Sequence, residues 1–385
     1  MRMEIYDFGF NRLGFIEKYD SVQYTEKFQD VGTFQLTCPK TDKNVKLLRE
    51  DNVIWFEAEV AGIIQYVDIK RDSDSTIEIK GNLIGQILDW RWIYPCFVKT
   101  ANPATLMEQL VYAHCVSPSD DSRKMNGLVV GTKDIVLKPS VTYQKTGGSV
   151  LDSEKKLAEA NGLGFAIYFN PRNVNKLKFV VLHGKDRTAN NKDGNVPVIF
   201  SRSLNNLISG DYVLNGGDYR NTGLVAGEAI DGSNNENANR RTLEVFRDSK
   251  KVSGYDRKEL FIDARDLQSE YSDTVVDAQD ADDTSKKMTD EEYNATLLQR
   301  GNEKLDETNK EESYTGEVRT DSKTKFIYRE DYELGDIVTL SDEDIGLRMD
   351  VAIMEMSITY DKTGYSYTPT FGKAVPTLYQ KIERR

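Results

Sequence analysis

The sequence contains few of the residues that enzymes and metalloproteins most often use. It has two histidines and three cysteines among 385 residues, and Cys38, Cys96 and Cys115 are widely spaced with no CxxC pair. This spacing indicates neither a disulfide framework nor a zinc site, so buried free thiols are expected. We predict no metal and no cofactor.

Long apolar runs and basic stripes are also missing. The N-terminus has no apolar segment of the secretory type, and no run approaches the roughly 18 apolar residues that span a bilayer. We therefore expect synthesis in a cytoplasm and no membrane segment. Without a basic stripe to neutralise phosphates, stable nucleic-acid binding is not predicted.

Acidic residues are concentrated in one stretch. The net charge is −12, and residues 263–312 carry sixteen Asp and Glu against six Lys and Arg. Thr289 and Glu292 form a capping-box pattern within this stretch, and apolar residues then recur four positions apart. The pattern predicts an amphipathic helix with one docking stripe and a solvated acidic side. The stripe consists of Tyr293, Leu297 and Leu305.

The two ends of the chain read as β-structure. Short alternating segments such as Thr33–Leu36 and Gly62–Ile69 are separated by polar turns in the first 96 residues, and similar segments return at Asp336–Leu340, Asp350–Tyr360 and Tyr365–Phe371. Short strands at this spacing are typical of small barrels or sandwiches. The polar loop Asp231–Arg241 is the predicted flexible tip.

The spacing of apolar residues changes in the middle of the chain, from that of strands to that of helices. Asn102 before Pro103 predicts one helix start, and a second helix is expected from Ser149 to the Gly162 stop. Strands follow at Phe165–Phe169 and Lys176–Leu182. The predicted class is α+β, mainly β, with two related small β-barrels. The domains are a first barrel at 1–96, an α+β domain at 97–200, a second barrel at 201–262 and 313–374, the acidic helical insertion at 263–312, and a C-terminal tail at 375–385.

An internal repeat relates the two predicted barrels. Segments near both ends share a similar order and spacing, although chance similarity between two β-meanders is the alternative. The pairs are Asp51–Trp55 with Gly335–Thr339, Ala61–Ile64 with Val351–Met354, Ile77–Gly81 with Thr368–Gly372 and, more weakly, Tyr24–Leu36 with Tyr212–Leu224.

No set of residues supports catalysis, so we predict a protein that is not an enzyme. His114 lies on an apolar helical stripe, and His183 at a strand end has no partnered nucleophile. The carboxylate pairs Asp282-Asp283, Glu291-Glu292 and Glu311-Glu312 fall in the solvated acidic stretch, where neither pKa would be raised by burial.

An aromatic cluster marks the end of the first barrel. Aromatic residues and arginine are enriched at interfaces, which favours a domain or subunit seam here, and stacking on sugars is the alternative. The cluster consists of Trp90, Arg91, Trp92 and Tyr94.

Three sequence segments resemble a known family. The C-terminal order LGDIVTL, DVAIMEMSITYD and KTGYSYTPTFG, residues 334–372, resembles the closing barrel of phage tail hub proteins. The opening YDFGFNRLGFIEKYDSVQYTEKFQDVGTFQLTCP resembles the N-terminal barrel of siphophage tail proteins of the ReqiPepy type. The middle segment GLGFAIYFNPRNVNKLKFVVLHGKDRT is similar to the α+β insertion of that family.

The resemblance implies a baseplate central hub at the tail tip of a virion, in the form without a C-terminal lysin extension. Such a hub is a homotrimer that closes the tail tube, matches a six-fold distal tail ring to a three-fold fibre or spike, and opens for DNA ejection. Its implied partners are the distal tail ring protein, the tape-measure protein and a downstream fibre, spike or receptor-binding protein, with transient DNA passage. The alternatives are a host-surface or carbohydrate-binding tail protein and, less favoured, a tail-associated cell-wall hydrolase.

Overall fold

A long β-sheet dominates the fold, and its strands come mostly from the two ends of the chain. The computed structural model describes residues 1–70, 75–131, 138–230, 239–272, 285–319, 326–362 and 364–372. Residues 71–74, most of the predicted loop at 231–241 and the predicted tail at 375–385 lie outside the described residues. The predicted class, α+β and mainly β, is confirmed.

The N-terminal part consists of seven strands and one short helix. Along the third strand Val22 and Tyr24 are buried while Gln23 is exposed, which is the period-two pattern of a strand with one covered face. The elements are β1 (Met3–Tyr6), β2 (Arg12–Ile16), β3 (Ser21–Lys27), β4 (Thr33–Pro39), α1 (Asp42–Leu47), β5 (Val53–Glu57), β6 (Val60–Ile69) and β7 (Thr76–Leu83).

The middle part combines two helices with two small sheets, in which β8 pairs with β10, and β11 pairs with β12, which also pairs with β9. The elements are β8 (Phe97–Ala101), α2 (Pro103–Val111), β9 (Leu128–Val130), β10 (Val141–Lys145), α3 (Val150–Asn161), β11 (Gly164–Phe169) and β12 (Leu177–Leu182). A π-helical turn at Tyr112–Val116 continues α2.

The C-terminal part consists mostly of strands, with one long helix. Its elements are β13 (Asp186–Arg187), β14 (Ile199–Ser201), β15 (Asp211–Asn215), β16 (Thr222–Ala229), β17 (Arg240–Phe246), β18 (Glu259–Asp263), β19 (Glu270–Ser272), β20 (Ser285–Lys287), α4 (Asp290–Asp306), β21 (Glu311–Thr315), β22 (Ile337–Asp342), β23 (Leu347–Asp361) and β24 (Gly364–Gly372).

The large sheet runs in the order β15-β21-β24-β23-β3-β4-β7-β6-β5-β1-β2, and β22 joins it through β23. Strands from both ends of the chain contribute side chains to one buried core. These include Tyr24, Leu36, Val338, Ile353 and Phe371. Among the described strands the pairing path is open, and no pairing closes either half into a barrel. The prediction of two closed barrels is therefore not confirmed, although both sets of strands exist.

The pairing of the strands crosses the predicted domain boundaries. β13 and β14, expected in the α+β domain, pair in parallel with β22 and so join the C-terminal strands. β16, β17 and β18, expected in the second barrel, form a separate three-stranded sheet against which α4 packs. Local patterns cannot reveal either feature, because both depend on partners far away in the sequence.

The predicted helix ends are confirmed. Asn102 caps α2 ahead of Pro103, and the Ser149 hydroxyl accepts a hydrogen bond from the Asp152 amide at 3.1 Å at the start of α3. Gly162 ends α3 in the left-handed region with φ of 58°. Thr289 and Glu292 form the capping box of α4, with reciprocal hydrogen bonds of 2.8 and 3.2 Å.

A buried acid lies in the core of the middle part. Glu154 on α3 is 0% exposed, and neither carboxylate oxygen has a hydrogen-bond partner among the described residues. Burial raises the pKa of Glu154 well above its ordinary value. The pKa of Glu154 in the folded chain therefore exceeds its unfolded value of about 4.3. Its contribution to the free energy of unfolding is fully present below about pH 4.3 and is lost as the pH rises through the folded pKa.

We expect Glu154→Met to raise the free energy of unfolding at pH 7.5 by roughly 1–2 kcal/mol, because an uncompensated polar group leaves the core. Glu154→Gln should flatten the pH dependence above about pH 4.3 while stabilising less, since its amide remains buried. Urea unfolding of the three proteins at pH 5 and pH 7.5 measures both effects. A loss of stability in Glu154→Met at pH 7.5 would contradict the prediction.

Candidate functional site

The two ends of the chain contain the same strand arrangement. In the first copy, strands pair in the order β3-β4-β7-β6-β5; in the second copy, the order is β15-β21-β24-β23-β22. In each copy the last three strands form an antiparallel meander, and the first strand lies outermost beside the second. The predicted repeat is therefore present as a repeat of topology.

The register of the two meanders agrees residue by residue. In each copy the middle strand has a bulge, between Ile64 and Tyr66 in β6 and between Ile353 and Glu355 in β23. The carbonyl groups just before these bulges accept equivalent hydrogen bonds, from Asp51 to Ile64 at 2.9 Å and from Gly335 to Ile353 at 2.8 Å. A shared bulge makes chance similarity of two meanders a poor explanation.

The repeat read from the sequence is correct in its first pair of segments, displaced by one residue in the next two, and correct at the start of the fourth. Val53 and Ile337 are equivalent, as predicted, but Ile64 corresponds to Ile353 and Gly81 to Phe371, one residue away from the sequence pairing. Tyr24 does correspond to Tyr212. Beyond that tyrosine the predicted match ends, because β16 to β20 and α4 are inserted between β15 and β21.

The two copies meet within the chain along an internal seam, the antiparallel pairing of β3 with the C-terminal half of β23. The Thr25 and Ser357 hydroxyls lie 2.7 Å apart across it, and Lys27 and Glu355 form an ion pair at 3.1 Å. Cross-strand pairs of this kind stabilise one register over its neighbours. The seam thus fixes how one copy is placed beside the other.

Glu57 at the end of β5 joins both sides of the internal seam. Its carboxylate accepts hydrogen bonds from Tyr24 on β3 at 2.5 Å and from Tyr360 on β23 at 2.9 Å. Burial and then the neighbouring Glu57 carboxylate raise the pKa of both tyrosines, so both hydroxyls stay protonated as donors at neutral pH. Sequence reasoning missed this cluster, although the buried side of β3 signals that Tyr24 needs an acceptor.

The predicted aromatic cluster lies between the N-terminal part and the middle part. The Arg91 carbonyl accepts from the Val150 amide at 2.9 Å, and the Tyr94 carbonyl accepts from the Arg123 guanidinium at 2.6 Å. The Arg91 guanidinium donates to the Arg123 carbonyl at 2.5 Å. The aromatic rings are only partly covered, with Trp90, Trp92 and Tyr94 43%, 60% and 71% exposed.

The predicted α4 stripe lies against the sheet of β16, β17 and β18. Tyr293, Leu297 and Leu305 are 0–2% exposed within one apolar cluster. The Tyr293 hydroxyl donates to the Leu267 carbonyl at 3.0 Å and accepts from the Glu228 amide at 2.8 Å. A β-carbon at Gly301 would lie 2.5 Å from Val245, so a glycine is needed for this close approach.

The residues considered for catalysis are dispersed. His114 is buried at the end of α2, where burial lowers its pKa to about 4, and Glu292 caps α4. Glu311 and Glu312 accept hydrogen bonds from Asn215 and Tyr212, whereas Asp282-Asp283 lies outside the described residues. The described ranges contain no group of metal-ligating side chains and no helix long and apolar enough to cross a membrane.

A family profile matches nearly the whole chain. The profile of the Siphovirus ReqiPepy6 Gp37-like proteins covers residues 2–373, including both copies and the parts between them. The chain belongs to this family. The predicted siphophage tail protein of the ReqiPepy type is thereby confirmed. No curated protein sequence matches this family member.

Three solved tail proteins share the fold of this Gp37-like protein. The 43 kDa tail protein of prophage MuSo2 from Shewanella oneidensis is 11% identical, with a TM-score of 0.55 over 97% of this chain and 98% of its own. A tail protein from Neisseria meningitidis MC58 has the same identity and TM-score over 96% of each chain. Prophage tail protein gp18 from Listeria monocytogenes EGD-e is 12% identical, with a TM-score of 0.54 over 100% and 98%.

Proposed function

We propose that this siphophage tail protein is the structural hub of the tail tip, a homotrimer that closes the distal end of the tail tube. The observation that carries the proposal is the repeated strand arrangement, with two copies of one topology held side by side by the internal seam. A trimer of such chains presents six similar units around one axis. That number fits a six-fold ring on one side and a three-fold fibre or spike on the other.

The residues of the two copies suit a structural role. Their pairing buries aromatic and aliphatic side chains in one core, and the polar residues of the seam are engaged with one another. Such an assembly transmits position and symmetry and needs no chemical step. Its proposed neighbours are the distal tail ring protein, the tape-measure protein and a fibre, spike or receptor-binding protein.

The acidic insertion gives the hub a surface suited to DNA passage. Residues 263–312 carry a net charge of −10, and carboxylates on α4 such as Asp290 and Glu291 are exposed. Like charge repels a nucleic acid, so DNA ejected past this surface is not retained. The exposed Trp92 and Tyr94 are the proposed contact with a neighbouring tail component.

The solution mass of the 385-residue chain tests the hub. We expect a species of three times 43.8 kDa, formed by the chain alone or on addition of its distal tail ring protein. Light scattering after size exclusion, with and without the ring protein, measures this mass directly. A chain that stays monomeric in both samples would overturn the proposed trimer and the hub with it.

A further inference from the structure

The two strands of the internal seam have equivalents in the same chain, and among the described residues these equivalents are not paired with one another. Within the chain, β3 of the first copy pairs with β23 of the second copy. The equivalent strands are β15, which corresponds to β3, and β6, which corresponds to β23. Among the described strands, β15 pairs only with β21, and beyond Ile64 β6 pairs only with β7.

We propose that these two open edges bind one another between subunits, so that β15 of one chain pairs antiparallel with Tyr66–Lys70 of a second copy. This inference rests on the proposed trimer and specifies its subunit contact. Because the two edges differ, the contact is head-to-tail, and repetition closes a ring when the rotation between the copies permits it. Pairing also removes two exposed strand edges, which folded proteins otherwise have to protect.

The internal seam sets the register of the proposed contact. Tyr24 lies opposite Ile358 and Thr25 opposite Ser357. Transfer of these pairs to the equivalent strands places Tyr212 opposite Ile69, Val213 opposite Asp68 and Leu214 opposite Val67. The same register places Asp211 opposite Lys70 of the second copy, which is a pair of opposite charge.

The exposure of the equivalent side chains supports pairing with a second copy. Ile358 and Met356 at the internal seam are 1% and 0% exposed, whereas Ile69, the equivalent of Ile358, is 38% exposed. Leu214 on β15 is 56% exposed. In the proposed register the side chains on one face of the joined strands are Leu214, Tyr212, Val67 and Ile69. Pairing with a second copy therefore buries these apolar side chains, as the internal seam buries Ile358 and Met356.

A disulfide cross-link tests the register. The Phe28 amide donates to the Met354 carbonyl at 2.9 Å, so Thr25 and Ser357 form a non-hydrogen-bonded pair, in which α-carbons lie about 4.5 Å apart. That separation permits a disulfide. The equivalent double variant is Val213→Cys with Asp68→Cys. Val213→Cys with Val67→Cys is the matched control, because its side chains point to opposite faces of the sheet.

We expect copper-phenanthroline oxidation of the purified chain, analysed on non-reducing gels, to give covalent dimers and trimers of the first double variant. The control and the single variants should stay below a tenth of that yield. A trimer that forms without this cross-link would overturn the proposed edge contact and leave the hub intact. Cross-linked chains that never close at three subunits would support the contact and overturn the trimer. Absence of any multimer, both for the chain alone and after addition of the distal tail ring protein, would overturn both.

Charge reversal provides a test without cysteine chemistry. Asp211→Lys should lower the fraction of multimer in sedimentation velocity, and Asp211→Lys combined with Lys70→Asp should restore it. Both residues are exposed, so neither change disturbs the core of the subunit. If the single and double variants assemble like the unaltered chain, the proposed register is wrong.

Discussion

Replacement of Phe28 by alanine is expected to lower the free energy of unfolding by roughly 3–5 kcal/mol. Phe28 is 4% exposed and lies where three parts of the molecule meet. Its amide donates to Met354 of the second copy, and its carbonyl accepts from Phe165 of the middle part at 3.0 Å. The ring fills space left by two glycines, since a β-carbon at Gly164 or Gly335 would lie 2.3 Å from it.

An exposed phenylalanine in the turn between β1 and β2 provides the control. Phe8 is 39% exposed, so Phe8→Ala should change the free energy of unfolding by less than about 1 kcal/mol. Guanidinium unfolding followed by intrinsic fluorescence compares the two variants, and limited proteolysis should release the middle part earlier in Phe28→Ala. Equal losses in the two variants would show that Phe28 is not the junction described above.

The helix ends could be predicted from the sequence because their signals are local. Each capping side chain accepts a hydrogen bond from an amide two or three residues further on: Asn102 from Ala104, Ser149 from Asp152, and Thr289 from Glu292. Gly162 ends α3 through its own left-handed conformation. No distant partner has to be known. The resulting boundaries agree with the structure for that reason.

The repeat could be predicted only in part. The sequence pairing of Val53 with Ile337 is correct, whereas the pairings of the next two strands are displaced by one residue. The displacement arises because the hairpin loops differ in length, with Val53 opposite Ile63 in one copy and Ile337 opposite Ala352 in the other, whereas the bulge is shared. The second strand of the later copy could not be found beside Tyr212, since a sheet and α4 separate it from that residue.

The pairings that define the candidate site could not be predicted at all. β3 and β23 are separated by most of the chain, and alternation within each strand shows which side is buried but not which strand lies next to it. The same applies to β13 and β14, whose parallel pairing with β22 moves them across the predicted domain boundary. Only the three-dimensional pairing identifies Glu57 as one of the residues that join the two copies.

Replacement of Glu57 by leucine is expected to destabilise the chain by roughly 2–4 kcal/mol, because two tyrosine hydroxyls lose a charged acceptor. Tyr24 is 0% exposed and its hydroxyl cannot turn to water without disturbing the internal seam. Tyr24→Phe should cost less, since Glu57 keeps the hydrogen bond from Tyr360. Additive losses in the double variant Glu57→Leu with Tyr24→Phe would contradict this shared acceptor, because coupled residues give a smaller combined loss.

The neighbouring hairpin provides a matched control for Glu57→Leu. Glu59 is exposed two residues further on, so Glu59→Leu makes the same chemical change without removing the acceptor of the two tyrosine hydroxyls, and its effect should stay within about 0.5 kcal/mol. Urea unfolding of both variants gives the comparison. Because Glu57 lies on the first copy and Tyr360 on the second, the loss in Glu57→Leu should also weaken trimer formation, whereas Glu59→Leu should assemble normally. Equal assembly of the two variants would mean that the subunit contact does not depend on how the internal seam places the two copies.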